Sequence, residues 1–168
     1  MPRIAVGVWG WAMTIGRIAA GVALLFSVGV SGCTTAGVDT TQTTAIAPQP
    51  ALPGEADLAA GKAQFRQANY GLAEQHFRKA VELNAQSAEA WMGLAASYDQ
   101  LGRFDFADRA YDQLLKVAGR KPEIVNNMGY SYYLRGDLKK ARSLLDEARR
   151  GMVDTSVVDA NLKLVARG

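Results

Sequence analysis

The sequence predicts an all-α fold, a row of helical hairpins stacked side by side, and three observations carry that prediction. From residue 54 onward the chain repeats with a period of 34 and no gaps: Ala107 overlays Ala73 and Ala141, Tyr111 overlays Phe77 and Leu145, and Leu114 overlays Ala80 and Ala148. Inside each unit the apolar residues recur at helical spacing, and Gly102 and Gly136 break the pattern at matched places. A small residue returns where the two helices of a pair would touch, since Ala95 overlays Gly61 and Gly129. One hairpin cannot bury its own apolar face, so roughly three neighbours in register are needed for a stable row. The units are residues 54–87, 88–121 and 122–155.

Ahead of the repeats, residues 1–32 read as an address rather than as fold. Residues 18–30 form an uncharged apolar run behind Arg17 and ahead of Ser31, Gly32 and Cys33. That run is too short to span a bilayer core of about 30 Å as a helix, and it matches the apolar region of a cleaved secretory signal. A second apolar run over residues 4–12 leaves a signal anchor, with Arg17 inside it, as the alternative. A start at Met13 gives a signal of ordinary length. Val30, Ser31, Gly32 and Cys33 resemble the bacterial lipobox. The resemblance implies that the Cys33 thiol takes up diacylglycerol, that the small residues let a peptidase reach the bond before it, and that the freed amine takes a last acyl chain. Covalent lipid on Cys33 is then the one non-protein group expected, and several acyl chains at about 0.8 kcal/mol per buried methylene hold the chain at a membrane. Thr34 stands where an aspartate would, by the same resemblance, favour the inner membrane. The expectation is the outer membrane, on its periplasmic side. Cys33 is the single cysteine, so no disulfide forms within one molecule.

Residues 33–53 carry one charge, Asp39, among Thr, Ala, Gln and Pro. They read as a flexible tether, and about 20 such residues reach roughly 25 Å. In the first unit, helices are expected over residues 55–67 and 70–82. The second unit follows with 88–101, behind the N-cap oxygen of Ser87, and 104–118. Pro122 opens the third pair in a first turn, where its missing donor costs little, and Asp137 caps the helix over 138–150. Beyond Gly151, Asp154, Thr155 or Ser156 caps a last helix to about residue 166, with Val158, Leu162 and Val165 at helical spacing. It has no partner helix, and residues 156–168 are expected to cover the open face of the last pair.

Trp91, Leu94, Ala95 and Tyr98, followed by Ala107 and Tyr111, fall at the spacings W-x2-L-G-x2-Y and A-x3-F of the tetratricopeptide (TPR) signature. The second unit resembles a TPR repeat. The first departs most, with Asp57 and Gln64 in the places of Trp91 and Tyr98. The expected fold is therefore all-α, a TPR-type helical-hairpin solenoid of three repeats plus a C-terminal capping helix.

The formal charge of +3 invites a nucleic-acid reading. Without Arg3 and Arg17, which lie in the expected leader, 17 basic residues face 16 acidic ones. The densest basic group, Arg135, Lys139, Lys140 and Arg142, is interrupted by Asp137 and followed by Asp146 and Glu147, a solvated helix face rather than a nucleic-acid patch. His76 is the single histidine, at a position expected to face outward, and a metal site needs several ligands at coordinated spacing. Ser97 and Ser131 have no neighbouring base pattern, and no glycine loop of the phosphate-cradling kind occurs. No enzyme activity, metal or cofactor is expected.

A protein-binding groove is what remains. In TPR folds the first helix of each pair lines a concave face, and the resemblance carries its contact positions onto Lys62, Phe65 and Arg66, onto Met92, Ala96, Asp99 and Gln100, and onto Asn126, Asn127, Tyr130 and Tyr133. Tyr, Met, Phe and Arg suit such a groove because they bring large contact area at modest ordering cost. Tyr132 and Met128 map instead onto packing positions. The clamp that some TPR cochaperones use for a terminal carboxylate is not matched: Asn127 fits one of its places, but Leu58, Gly93 and Glu123 stand where Lys or Asn would be wanted. Residues 126–148, NNMGYSYYLRGDLKKARSLLDEA, followed by DANLKLV at 159–165, resemble TadD-type lipoproteins of tight-adherence (Flp) pilus assembly. That resemblance implies an outer-membrane adaptor with a pilus secretin or a neighbouring assembly component as partner. A general envelope scaffold for peptidoglycan hydrolases or outer-membrane assembly factors is the alternative.

Overall fold

The structure, a computed structural model, describes residues 52–168, so the leader, Cys33 and nearly all of the tether lie outside the described residues. Seven α-helices follow in order and no strand occurs among the described residues: α1 (Glu55–Arg66), α2 (Tyr70–Leu83), α3 (Ala88–Gln100), α4 (Phe104–Ala118), α5 (Pro122–Leu134), α6 (Leu138–Gly151) and α7 (Ser156–Val165). Consecutive helices pair as α1 with α2, α3 with α4 and α5 with α6, and α7 lies against α6 and α5. The opening helices also meet one another, α1 with α3, α3 with α5 and α5 with α7, so that they form one layer of the stack. None of the described helices is long and apolar enough to cross a membrane.

Local chemistry sets most of the boundaries. Ser87 Oγ accepts from Ala90 N at 3.2 Å and Asp137 Oδ1 accepts from Lys140 N at 3.0 Å, while Pro122 occupies the first turn of α5. At the start of α7, of the three residues expected to cap it, Asp154 is the one whose side chain bonds, its Oδ1 accepting from Ser156 N at 2.9 Å, while Thr155 stands at the boundary without a cap bond from its side chain. The turn inside each pair is the same device three times. Asn69 N donates to Gln64 O at 3.0 Å, Arg103 N to Tyr98 O at 2.9 Å and Asp137 N to Tyr132 O at 3.0 Å, the long bond of a Schellman motif. The turn needs one left-handed residue, which is Gly102 (φ 68°) and Gly136 (φ 82°) in two units but Ala68 (φ 60°) in the first.

Close approach of the paired helices follows from the small residues. The fully buried Phe77 ring lies where a Cβ on Gly61 would come within 2.8 Å of it, and a Cβ on Gly93 of the next unit would overlap it. Gly129 stands in the same relation to Leu145, at 2.8 Å. Asp57, in the place of the signature tryptophan, ties α1 to α2 through His76 Nδ1 and Lys79 Nζ, each at 3.3 Å, so the opening helix that matches least well is still secured to its pair.

The apolar core divides. One cluster runs through α1 to α4 and ends on Ile124; the other gathers Val125 with α6 and α7. The second and third hairpins touch over a shorter stretch than the first and second. Register gives the reason: Tyr111 and Asn127 stand where Phe77 and Gly93 stand one unit earlier, so a hydroxyl and an amide take the place of a ring on a bare backbone.

Replacing Ala68 by Gly is expected to stabilise the fold by about 0.5–1 kcal/mol, because the left-handed conformation strains an L side chain by more than glycine loses in unfolded-state entropy. Gly102→Ala should cost a similar amount; opposite shifts in thermal midpoint check both.

Candidate protein-binding groove

The sequence-predicted positions divide into two sets once folded. Lys62, Met92, Gln100 and Tyr133 are half-buried and Arg66 is exposed. Lys62 pairs with Glu89 of α3, which fixes it across the first two opening helices. Phe65, Ala96, Asp99, Asn126, Asn127 and Tyr130 are buried, which departs from an open groove floor. Asp99, Asn126 and Asn127 are closed over by a neighbouring opening helix, through Ser131, Asn161 and Met92 respectively. Phe65 is covered within its own pair, edge-on against Tyr70 of α2 at 5.1 Å, and Tyr130 lies 5.8 Å from Tyr133 of its own helix.

An amide chain joins three opening helices. Asn161 Nδ2 on α7 donates to Asn126 Oδ1 at 3.1 Å, and Asn127 Nδ2 on α5 donates to Met92 Sδ on α3 at 3.0 Å. These bonds satisfy the amide donors of Asn161 and Asn127 and so hold the layer in register, while Asn161 Oδ1 is buried without a partner. Met128 packs into both core clusters, and Tyr132 lies beneath two cations, Arg135 at 4.5 Å and Lys140 at 4.1 Å.

Asp99 is the centre of the second joint. Its Oδ2 accepts from Tyr111 OH on α4 at 3.0 Å and its Oδ1 from Ser131 Oγ on α5 at 2.6 Å. Arg135 stands 3.9 Å away and is held in turn by both carboxylate oxygens of Asp108, at 3.0 and 2.9 Å, with its guanidinium 4.9 Å over the Phe104 ring. Burial pushes the Asp99 carboxyl up to about 6, against the hydroxyl bonds from Ser131 and Tyr111 and the charge of Arg135, which pull it down. Burial beside that acid also raises the Tyr111 phenol well above its ordinary value. Ala96, Asp99, Gln100, Tyr111, Asn127 and Tyr130 together line a crevice of about 10 Å³ between α3, α4 and α5, too tight for more than a single water.

Sequence reasoning placed Asp99 on the groove but missed Ser131, Tyr111 and Arg135 as its partners. It also missed Glu74, buried on α2, which accepts from Arg78 Nε at 2.9 Å and lies 4.0 Å from Arg103 of the next unit. A signal existed: Asp108 lies 34 residues after Glu74, so each inter-repeat joint has an acid on its second helix facing an arginine of the following unit. His76, half-exposed, sits against Asp57, and among the described residues no group of three or more His, Cys, Asp or Glu could hold a metal ion.

Residues 64–126 match the family described as Tetratricopeptide repeat. The chain is 28% identical over 151 residues to the type IV pilus assembly protein PilF of Pseudomonas aeruginosa, covering 89% of this chain and 59% of that protein. It is 30% identical over 93 residues to the cytochrome c-type biogenesis protein CycH of the same organism, covering 52% of this chain and 23% of that one. A solved structure of P. aeruginosa PilF superposes with a TM-score of 0.59 at 28% identity, over 68% of this chain and 52% of that one. The chain thus spans between about a quarter and three fifths of the length of these relatives. The fold is a TPR-type solenoid of three repeats and a final helix among the described residues.

Because the Asp99 carboxyl titrates higher folded than unfolded, its stabilising contribution is full below about pH 4 and is lost as pH rises through about 6. Asp99→Asn should remove that part of the decline and be the more stable form at pH 7.5 by about 1–3 kcal/mol. Thermal midpoints of both proteins from pH 4 to 7.5 check it, and parallel curves would refute the assignment.

Proposed function

We propose that the protein is a lipid-anchored adaptor on the periplasmic side of the outer membrane, whose groove holds a component of a pilus or secretin apparatus, in line with a tight-adherence (Flp) type of assembly. The likeness to PilF across 151 residues is the observation that carries this reading. The lipobox-like Val30 to Cys33 segment supports the anchor, and the Thr-, Ala- and Pro-containing tether supports a repeat array working a short way from the lipid surface. The array brings no chemistry of its own in this reading. It offers relief and charge on a rigid scaffold, and specificity comes from which side chains keep exposed surface: Arg66, Met92, Gln100 and Tyr133.

A second reading places the same groove in envelope biogenesis more broadly, as a scaffold for hydrolases or assembly factors. The likeness to CycH over 93 residues favours it. The two readings share the anchor and differ only in the client.

Cys33→Ala is expected to shift the protein from the membrane pellet to the soluble periplasmic fraction; retention in the pellet at the wild-type level would end the lipoprotein reading. Affinity capture with the full chain is expected to recover a secretin subunit or a neighbouring pilus component. The double change Met92→Ala with Tyr133→Ala should reduce that recovery about tenfold, as loss of two large contact residues does. Undiminished capture by the double variant would place the contact elsewhere.

A further inference from the structure

Successive opening helices touch along the row, but α2, α4 and α6 do not touch one another. The second helices therefore stand as separate ridges in the layer opposite the groove. Among the described residues, three large apolar side chains on two of these ridges keep about half their surface in solvent: Leu72 (48% exposed) and Leu83 (52%) on α2, and Phe106 (50%) on α4. Phe106 is held in place, its ring 5.3 Å from that of Tyr98 and beneath the Arg109 guanidinium at 5.3 Å. On α6 the same place is Lys140, drawn over Tyr132, so the apolar row stops at the second ridge.

Residues 34 apart stand at the same height on neighbouring ridges, and compared in that way α2 and α4 are complementary. Leu72 corresponds to Phe106 and Leu83 to the half-buried Val117, while Arg78 corresponds to Asp112 and Glu82 to Lys116. Glu82, Asp112 and Lys116 are exposed, and among the described residues none of the three has an ion-pair partner in its own chain. Arg78 has one, the buried Glu74, but Arg103 reaches the same carboxylate, so two guanidinium groups share one acid and half of the Arg78 side chain faces solvent. The helix dipole accounts for Lys116 in the last turn of α4 and opposes Glu82 in the last turn of α2.

These placements select a partner that carries the same two ridges. A ridge set at equal height against its own copy meets its own charges, and α4 against α6 brings Asp112 onto Asp146 and Lys116 onto Arg150. Setting α2 against α6 balances charge but puts Leu72 on Lys140. An antiparallel pairing of two α4 ridges matches Arg109 with Asp112 but leaves both α2 leucines in water. Setting α2 against α4 matches charge and apolar surface together.

We propose that this outer face pairs with the same face of a second copy of the chain, about a two-fold axis that runs parallel to the helices between α2 and α4. Each α2 then lies along α4 of the other copy, with Leu72 on Phe106 and Glu82 against Lys116 at both symmetry-related places. Contact over two ridges is at the small end for a specific interface, so the pairing is reversible. The opening helices stay free on the opposite side, and the proposal stands apart from the groove reading.

The test co-expresses full-length copies carrying Gln75→Cys and Arg109→Cys, matched places on the two ridges, and applies a short thiol-specific crosslinker. The mixture should give at least about tenfold more crosslinked dimer than either variant alone or the wild type, whose Cys33 sets the background. Glu82→Lys or Lys116→Glu in both copies should lower that yield about tenfold, because each reversal turns two attractions into two repulsions. The two changes together should restore it, with circular dichroism confirming unchanged helicity throughout. A yield from the Arg109→Cys variant alone that equals the mixture's puts α4 on α4 and overturns the proposed arrangement. Absence of dimer above background overturns the pairing, and so does a yield indifferent to both charge reversals.

Discussion

The stack depends on a ring meeting a bare backbone. Phe77 is wholly enclosed because Gly61 in its own hairpin and Gly93 in the next offer no side chain, and that contact locks both the pairing within a unit and the stacking between units. Burying one such ring is worth about 1.5–3 kcal/mol, and its larger effect is geometric, since it sets how close three helices come. With that spacing set, the opening helices fall into one layer, and their exposed edges become a surface that can face a partner.

The second joint solves the same problem with different chemistry. Tyr111 and Asn127 replace the ring and the glycine, α4 and α5 draw apart, and the space fills with a carboxylate, two hydroxyls and an arginine in place of hydrocarbon. Polar joints of this kind are satisfied only in one arrangement, which favours uniqueness over raw stability. The enclosed acid opposes the fold at neutral pH while its hydrogen bonds fix the relation of α3 to α5. The joint at the middle of the layer is thereby tied to one group, Asp99, whose oxygens reach both α4 and α5.

Much of this was legible in the residues. The period of 34, the glycine at the turn and the small residue at the helix contact each have a single physical meaning, and the helices lie within a residue or two of where caps and punctuation put them. The groove was less legible. Asn126, Asn127, Asp99 and Tyr130 have the composition of a binding surface, yet they are enclosed, because register along a helix says which way a side chain points and not how near the next helix stands.

The sequence by itself determined the number of hairpins, their boundaries and the close contact inside each, since those follow from spacing and side-chain size along one chain. Tertiary structure alone decided which polar residues are spent on one another between helices and which keep a face to solvent. That outcome depends on distances between segments some 30 residues apart, and it changes where Tyr111 and Asn127 stand in the places of Phe77 and Gly93.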